Sequence, residues 1–376
     1  MRKNLFVRSI AAVSGIVMLA SLAACGDNTS SAGNNSGSTS TEKITGSFSG
    51  AGATSQQAAE EAWISAYMAA NSGANVTYNP TGSGAGVTTF LSGATAWAGS
   101  DKALSDDEVT QSSDKACANG TTAFDVPVYI SPIAIIFNLK GVSDAGKHIN
   151  LDADTAAKIF DGKIVKWNDP AIANQNKDLT LPDTQITVVH RSDKSGTTQN
   201  FVSYFKDQAP DSWTHELSEN WPDIPGQQSA KGTSGVVTAV KQADGTIGYA
   251  DFSQVGDLGT VAVKVGEKYN VISAKAGSKV IEDSKQDTTV TGDNRVVIKI
   301  NHATKADGAY PIVLVSYDVV CPAYKDAKQA EFAKAWLTYV TSDEGQKAAQ
   351  DAAGTAPLPA SLKTKVVKSI EAIKTK

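Results

Sequence analysis

Residues 191–198, Arg-Ser-Asp-Lys-Ser-Gly-Thr-Thr, constrain the fold of this chain more than any other segment. They lie between a strand-like apolar run at 186–190 and a helix-like run at 199–205. A loop in this position presents the unpaired N–H groups and the positive dipole end of the coming helix. Either Ser195 or Thr197 can cap that helix. The segment therefore predicts an anion-binding helix start in an α/β fold.

Three side chains of this loop indicate which anion it suits. Arg191 carries a planar guanidinium that matches a tetrahedral oxyanion, and Gly196 lets the backbone approach a ligand closely. Asp193 repels an anion unless that anion carries a proton for the carboxylate to accept. Phosphate keeps a proton near neutral pH and sulfate does not, so the combination favours phosphate.

Related segments lie upstream. Residues 50–55, Gly-Ala-Gly-Ala-Thr-Ser, precede a run with helical spacing, and residues 82–86, Gly-Ser-Gly-Ala-Gly, precede a short helix-like run at 87–91. Asp101 follows the short apolar run 94–98 and places another carboxylate on a loop. Each segment is weak by itself, because an isolated Gly-Ser-Gly is usually an ordinary helix cap.

In chain order, these loops closely resemble the phosphate-binding protein of the Pst-type ABC transporter. The resemblance continues at residues 162–169, Gly-Lys-Ile-Val-Lys-Trp-Asn-Asp, and at 245–249, Gly-Thr-Ile-Gly-Tyr. It implies a type 2-like periplasmic-binding-protein fold with two α/β lobes and a ligand cleft between them. It also implies a monomer that delivers inorganic phosphate to the permease subunits of an importer by closing the cleft, without cofactor, metal or catalytic residue.

The resemblance implies the phosphate-binding residues as well. They lie on four loops and are Thr54, Ser55, Ser83, Asp101, Arg191, Asp193, Ser195, Gly196 and Thr197. Asp101 is the expected acceptor of the phosphate proton, and Asp193 is the alternative acceptor. Asp193 can also orient the guanidinium of Arg191. The chain departs from the family pattern at Ser55, where relatives often have an aromatic residue, and at Lys194, where a glycine is common. The Lys194 side chain either lines the cleft or points to solvent.

The N-terminus indicates export. Basic residues precede a mostly apolar stretch at 10–20, which is followed by Leu-Ala-Ala-Cys at 22–25, so residues 1–24 are predicted to be a signal peptide with a lipobox. The apolar stretch is shorter than the ~20 residues that a membrane span needs. We expect lipid on Cys25, a flexible polar tether at 25–43, and an extracytoplasmic protein anchored to the cell membrane.

Charge and cysteine content agree with this compartment. Without residues 1–24 the chain keeps 31 basic and all 39 acidic residues, a net charge of -8, which argues against nucleic acid as a partner. Once Cys25 is lipidated, only Cys117 and Cys321 remain, in a compartment that permits disulfides. We predict that they pair, and the alternative is two buried thiols.

Strand-like and helix-like runs alternate along the rest of the chain, which predicts two α/β lobes. Lobe one is expected to comprise residues 44–128 and 312–376, and lobe two residues 129–311, so the chain crosses between them twice. Residues 264–293 are rich in Lys, Ser, Asp and Gly with weak periodicity, which predicts an exposed excursion.

Two other functional classes stay open. One is a secreted phosphatase or hydrolase with Ser83 or Ser195 as nucleophile and His190 or His148 as base. The sequence disfavours it, because Ser83 lacks a Gly-x-Ser-x-Gly elbow and no histidine-carboxylate metal cluster is present to activate water. The other is a phosphate sensor or adhesin with the same fold, which sequence alone does not distinguish from a transport receptor.

Overall fold

The computed structural model describes residues 44–143 and 146–375. The predicted signal peptide, the lipobox cysteine Cys25 and the tether up to residue 43 lie outside the described residues. Within the described ranges, none of the helices combines the length and the apolar character needed to cross a bilayer.

Most of the described strands belong to one large curled sheet. The strands are β1 Gly46–Gly52, β2 Ala74–Asn79, β3 Trp97–Ser100, β4 Phe124–Asn138, β5 Ile149–Leu151, β6 Thr187–Arg191, β7 Gln228–Ala230, β8 Thr246–Asp251, β9 Gly259–Val265, β10 Lys268–Asn270, β11 Lys285–Gln286, β12 Ile298–Lys299 and β13 Val313–Val320.

Helices follow most of the strands. They are α1 Gln57–Ala70, α2 Ser83–Leu91, α3 Asp106–Ser112, α4 Ala153–Phe160, α5 Pro170–Ala173, α6 Gly196–Gln208, α7 Gly232–Gln242, α8 Ala274–Glu282, α9 Ala327–Val340, α10 Asp343–Ala353 and α11 Ala360–Glu371. A 3-10 turn, Phe252–Gln254, follows β8.

The sheet has eleven strands, in the order β2-β1-β3-β13-β4-β8-β6-β7, with β9 beside β4 and with β5 and β10 paired to β9. Strands β2, β1 and β3 are parallel to one another, and so are β8, β6 and β7. Between these two parallel halves, β13 and β4 run antiparallel to their neighbours. Strands β11 and β12 form a separate ribbon. The predicted α/β class is confirmed.

Strand β4 belongs to both halves of the sheet. Its residues up to Pro132 pair with β13, and from Ile133 onward they pair with β8. All its residues except Asn138 are buried. This burial on both faces explains its nearly continuous apolar sequence, because helices cover the sheet on each side.

Aromatic residues fill the core on each side of β4. In the first half, Phe332 of α9 stacks on Phe48 of β1 with ring centroids 4.1 Å apart, and Trp63 meets Trp336 edge-on at 6.4 Å. Helix α9 carries an apolar stripe with i, i+4 spacing, which is fully buried: Phe332, Trp336, Leu337 and Val340. The second half has its own cluster around Phe160.

The predicted disulfide between Cys117 and Cys321 is confirmed. It joins the segment after α3 to the residue that follows β13, and both cysteines are buried in a small apolar cluster. The bond therefore ties together two parts of the first half of the sheet that lie 204 residues apart in sequence.

The prediction of an exposed excursion at 264–293 is wrong for part of that segment. Helix α8 lies inside it and packs against β4 and β13, with Ala276, Val280 and Ile281 buried. A three- to four-residue spacing of small and branched side chains is enough to bury one face of a nine-residue helix. The polar residues that dominate the segment cover its other face.

Candidate anion-binding site

The predicted site residues lie at the carboxyl ends of parallel strands. Thr54 follows β1, Ser83 follows β2, Asp101 follows β3, and Arg191 is the last residue of β6. In open parallel sheets this edge is where ligands bind, because the loops there lead into helix N-termini. The fold thus brings together loops from both halves of the sheet.

Three helices begin at these loops. Ser83 is the first residue of α2, and α1 begins two residues after Ser55. Helix α6 begins at Gly196, and the hydroxyl of Ser195 caps it by accepting the Thr198 N–H at 3.2 Å. Ser195 rather than Thr197 is therefore the cap, which leaves the Thr197 hydroxyl available for another partner.

Asp101 is the centre of the site. Its Oδ2 atom accepts hydrogen bonds from the hydroxyls of Ser55 at 2.5 Å and Thr197 at 2.7 Å, and its Oδ1 atom accepts one from Ser316 at 2.8 Å. The residue is buried. Burial raises the pKa of the Asp101 carboxyl above its ordinary value, and the three hydroxyl donors and the positive charge of Arg191 oppose this rise only in part.

Arg191 and Asp193 form a bidentate pair. Arg191 Nε donates to Asp193 Oδ1 at 2.8 Å, and its terminal nitrogen donates to Oδ2 at 2.5 Å. The backbone N–H of Gly232 donates to Oδ1 as well, at 3.0 Å. Burial raises the pKa of Asp193, but the hydrogen bonds and charge of Arg191 outweigh it and hold that pKa below its ordinary value. Asp193 is thus an ionised group that fixes the guanidinium plane.

Ser83 and Gly196 bring the two halves into contact. The Ser83 hydroxyl accepts the N–H of Gly196 at 3.1 Å and the N–H of Asp101 at 3.3 Å. A methyl group added at Gly196 would lie 2.7 Å from Lys102 N and 2.8 Å from the Asp101 carbonyl carbon. No larger residue fits between these backbones, which explains why a glycine starts α6.

All nine predicted residues lie in this region, linked by the bonds above and by a bond from Thr54 to Thr233. Lys194, whose role the sequence left open, is exposed. Trp167 is a packing residue: it is buried, and its indole donates to the Gly245 carbonyl at 3.0 Å. His190 bonds the Arg191 carbonyl and stacks on the ring of Trp221.

Sequence reasoning missed several residues that contact the predicted ones. They are Asn200, Gly232, Thr233, Gln254 and Ser316. One signal was present for two of them, because residues 232–235, Gly-Thr-Ser-Gly, repeat the composition of the other helix-start loops. Ser316 had no such signal, since it is a polar residue within β13.

Comparison with known proteins identifies the family. The family model described as "PBP superfamily domain" matches residues 37–344. Phosphate-binding protein PstS 2 of Mycobacterium tuberculosis (strain ATCC 25618 / H37Rv) is 36% identical over 383 residues, covering 98% of this chain and 99% of the relative. Phosphate-binding protein PstS3 of Mycobacterium bovis (strain BCG / Pasteur 1173P2) is 33% identical over 368 residues, covering 94% and 95%. The chain belongs to the PstS family within this superfamily.

A solved structure shows the same fold. The high affinity periplasmic phosphate-binding protein PfluDING, determined with bound phosphate at pH 8.5, superposes with a TM-score of 0.69 at 23% identity. The match covers 85% of this chain and 92% of PfluDING. This likeness confirms the predicted periplasmic-binding-protein fold of the PstS family member.

Proposed function

We propose that this PstS family protein binds one inorganic phosphate ion between its two lobes and delivers it to an ABC importer. The observation that carries the proposal is the buried Asp101 carboxylate, which lies where four strand ends and three helix starts converge. An anion site with a built-in acceptor suits a ligand that keeps a proton. Phosphate is such a ligand, and the relatives are named phosphate-binding proteins.

We assign the nine predicted residues to four roles. The loop at Thr54 and Ser55, the start of α2 at Ser83, and the start of α6 at Ser195, Gly196 and Thr197 supply backbone N–H donors. The hydroxyls of Thr54, Ser83 and Ser195 are further donors, whereas Ser55 and Thr197 give their hydroxyl protons to Asp101. Arg191 supplies the positive charge, and Asp193 orients it. Asp101 accepts the proton of the phosphate. Charge-assisted bonds at a buried site supply the affinity, because the net charge of the chain opposes an anion.

We propose that binding closes a cleft between lobe one, residues 44–128 and 312–376, and lobe two, residues 129–311. Bonds between these ranges, such as the one from Thr197 to Asp101, support this. Strand β4, which changes partners at Ile133, and the chain near Pro311 would act as the hinge. One stretch of lobe two moves with lobe one in this proposal, because Arg295 pairs with Asp125 at 2.6 Å.

We further propose that the protein is extracytoplasmic and anchored by lipid on Cys25, and that it binds without turnover. In the described part of the chain, the hydroxyls of the candidate nucleophiles Ser83 and Ser195 bond backbone N–H groups, and neither candidate base bonds them. His190 bonds the Arg191 carbonyl, and His148 bonds Thr260. A sensor or adhesin would bind phosphate equally well, and phosphate uptake by cells with and without the gene would separate that role from transport.

Calorimetric titration of the full chain with phosphate, arsenate and sulfate tests the proposal. We expect one phosphate per chain, and we expect Arg191→Ala to weaken binding at least tenfold, since charge-assisted bonds contribute ~1.5 to 3 kcal/mol each. Lys194→Ala is the matched control. It removes a cation from the same loop, and the Lys194 side chain is exposed. An unchanged dissociation constant for Arg191→Ala would remove Arg191 from the site, and absence of phosphate binding by the wild type would refute the proposal.

A further inference from the structure

The start of helix α7 contacts the Thr54 loop, although no resemblance assigns α7 a role. The N–H of Thr233 donates to Thr54 Oγ1 at 3.0 Å, and the two hydroxyl oxygens are 2.9 Å apart. Both threonines are buried. They are separated by 179 residues, and they lie on opposite sides of the proposed cleft.

These contacts constrain the direction of the Thr54 hydroxyl. A hydroxyl group has one proton to donate and two lone pairs that accept. The N–H of Thr233 occupies one lone pair of Thr54. When the Thr233 hydroxyl donates into the other, both lone pairs are filled, and the only bond left to Thr54 is one in which it donates.

A bound anion favours this arrangement over the reverse one. If Thr54 donated to Thr233 instead, the proton of Thr54 would be used within the pair and lost to the ligand. A hydroxyl bond to a charged oxygen is stronger than one to a neutral hydroxyl. The bound anion and the Thr233 hydroxyl therefore favour the same orientation, in which Thr54 donates its proton to the anion.

Backbone contacts hold this pair in place. The side-chain amide of Gln254 donates to the Thr54 carbonyl at 2.9 Å, and Gly232 donates its N–H to Asp193. The bonds of Gly232 to Asp193 and of Thr233 to Thr54 together fix the start of α7 between the Thr54 loop and the Arg191–Asp193 pair.

We propose that Thr233 is a further positioning residue of the phosphate site, which orients the Thr54 hydroxyl as a donor to the bound anion. The inference rests on the proposed function. Thr233 itself gives no bond to the ligand in this account. Its effect on affinity passes through Thr54, and this separates it from a residue that only stabilises the fold.

The test is calorimetric titration of the full chain in detergent micelles with inorganic phosphate. Thr233→Val keeps the backbone N–H and the branched shape but removes the hydroxyl, and we expect it to weaken binding roughly fivefold to tenfold, the loss of about one hydrogen bond. Thr233→Ser restores the hydroxyl and should bind within about twofold of the wild type. In a Thr54→Val background, Thr233→Val should cause no further loss.

The outcomes separate the inference from the function on which it rests. If the wild type binds phosphate and Thr233→Val binds equally well, the inference is wrong. It is also wrong if Thr233→Val weakens the Thr54→Val protein as much as it weakens the wild type, or if Thr233→Ser binds as poorly as Thr233→Val. Wild-type protein that binds no phosphate refutes the proposed function itself. Melting temperatures of each variant report any separate loss of stability, and Thr233→Ala, which also lacks the hydroxyl, takes the place of Thr233→Val if that variant does not fold.

Discussion

Replacement of Asp101 by Asn tests the proposal that this carboxylate makes the site prefer phosphate to sulfate. A carboxylate has about four lone-pair positions that accept hydrogen bonds. In the structure three of them are used, by Ser55 and Thr197 at Oδ2 and by Ser316 at Oδ1. One position therefore remains for the proton of a bound phosphate. Asparagine keeps the shape of the side chain but replaces one acceptor oxygen by a group that donates.

The size of the effect follows from this count. Phosphate loses one charge-assisted bond, worth ~1.5 to 3 kcal/mol, so its dissociation constant should rise roughly 10- to 150-fold. Sulfate has no proton and leaves the Asp101 carboxylate facing an anion. We therefore expect the wild type to bind sulfate ~10⁴- to 10⁵-fold more weakly than phosphate. The Asn variant offers sulfate a neutral donor instead. The ratio of the two affinities should consequently narrow by roughly 100-fold or more.

The assay is titration of wild type, Asp101→Asn and Asp193→Asn with both anions. Asp193 is the matched control, because two bonds from Arg191, one from the N–H of Gly232 and one from its own backbone N–H use its acceptor positions, so its replacement should weaken the binding of both anions alike. Acid provides a second check. Because burial raises the pKa of Asp101, this carboxyl gains a proton as the pH falls, and sulfate binding by the wild type should strengthen. Wild-type protein that binds sulfate as well as phosphate at neutral pH would refute the reasoning.

Two predictions concern stability. Replacing Cys117 and Cys321 by serine should lower the free energy of unfolding by up to roughly 5 kcal/mol in urea titrations, because the bond closes a loop of 204 residues; an unchanged midpoint would contradict this. Burial raises the pKa of Asp318 to about 8, so the folded protein favours the neutral carboxyl. The stability that this carboxyl contributes is present below its pKa in the unfolded chain and is lost as the pH rises through about 8. Asp318→Asn should therefore raise the melting temperature relative to wild type at about pH 9 but not at about pH 4. The same difference in melting temperature at both pH values would show that ionisation of Asp318 does not affect stability.

The loops of the site could be predicted because their chemistry is local. A glycine- and serine-rich stretch between a strand and a helix is visible within eight residues, and Arg191 and Asp193 lie two positions apart. The partners that complete the site are not local. Thr233 meets Thr54 across 179 residues, and Ser316 meets Asp101 across 215. The packing of the two halves of the sheet brings Thr233 to Thr54, and the antiparallel pairing of β13 with β3 brings Ser316 to Asp101.

Helix α8 shows a different reason for failure. Its nine residues include two lysines and a glutamate, so composition suggested an exposed segment. Its buried face depends on two branched residues, Val280 and Ile281, which find their partners on β13. A short amphipathic helix carries too few apolar positions to establish a period, and tertiary contacts then decide its structure.

We expect discrimination at Asp101 to depend on the proposed closure of the cleft. Ser55 and Ser316 bond the carboxylate from the same half of the sheet, whereas Thr197 comes from α6 of the other half. If the halves separated, Asp101 would lose Thr197, and water would supply both donors and acceptors to it. A solvated carboxylate pays little for facing an anion that lacks a proton, because water bridges the two. The preference for phosphate over sulfate should therefore arise in the closed form, and a variant held open should bind both anions weakly and with similar affinity.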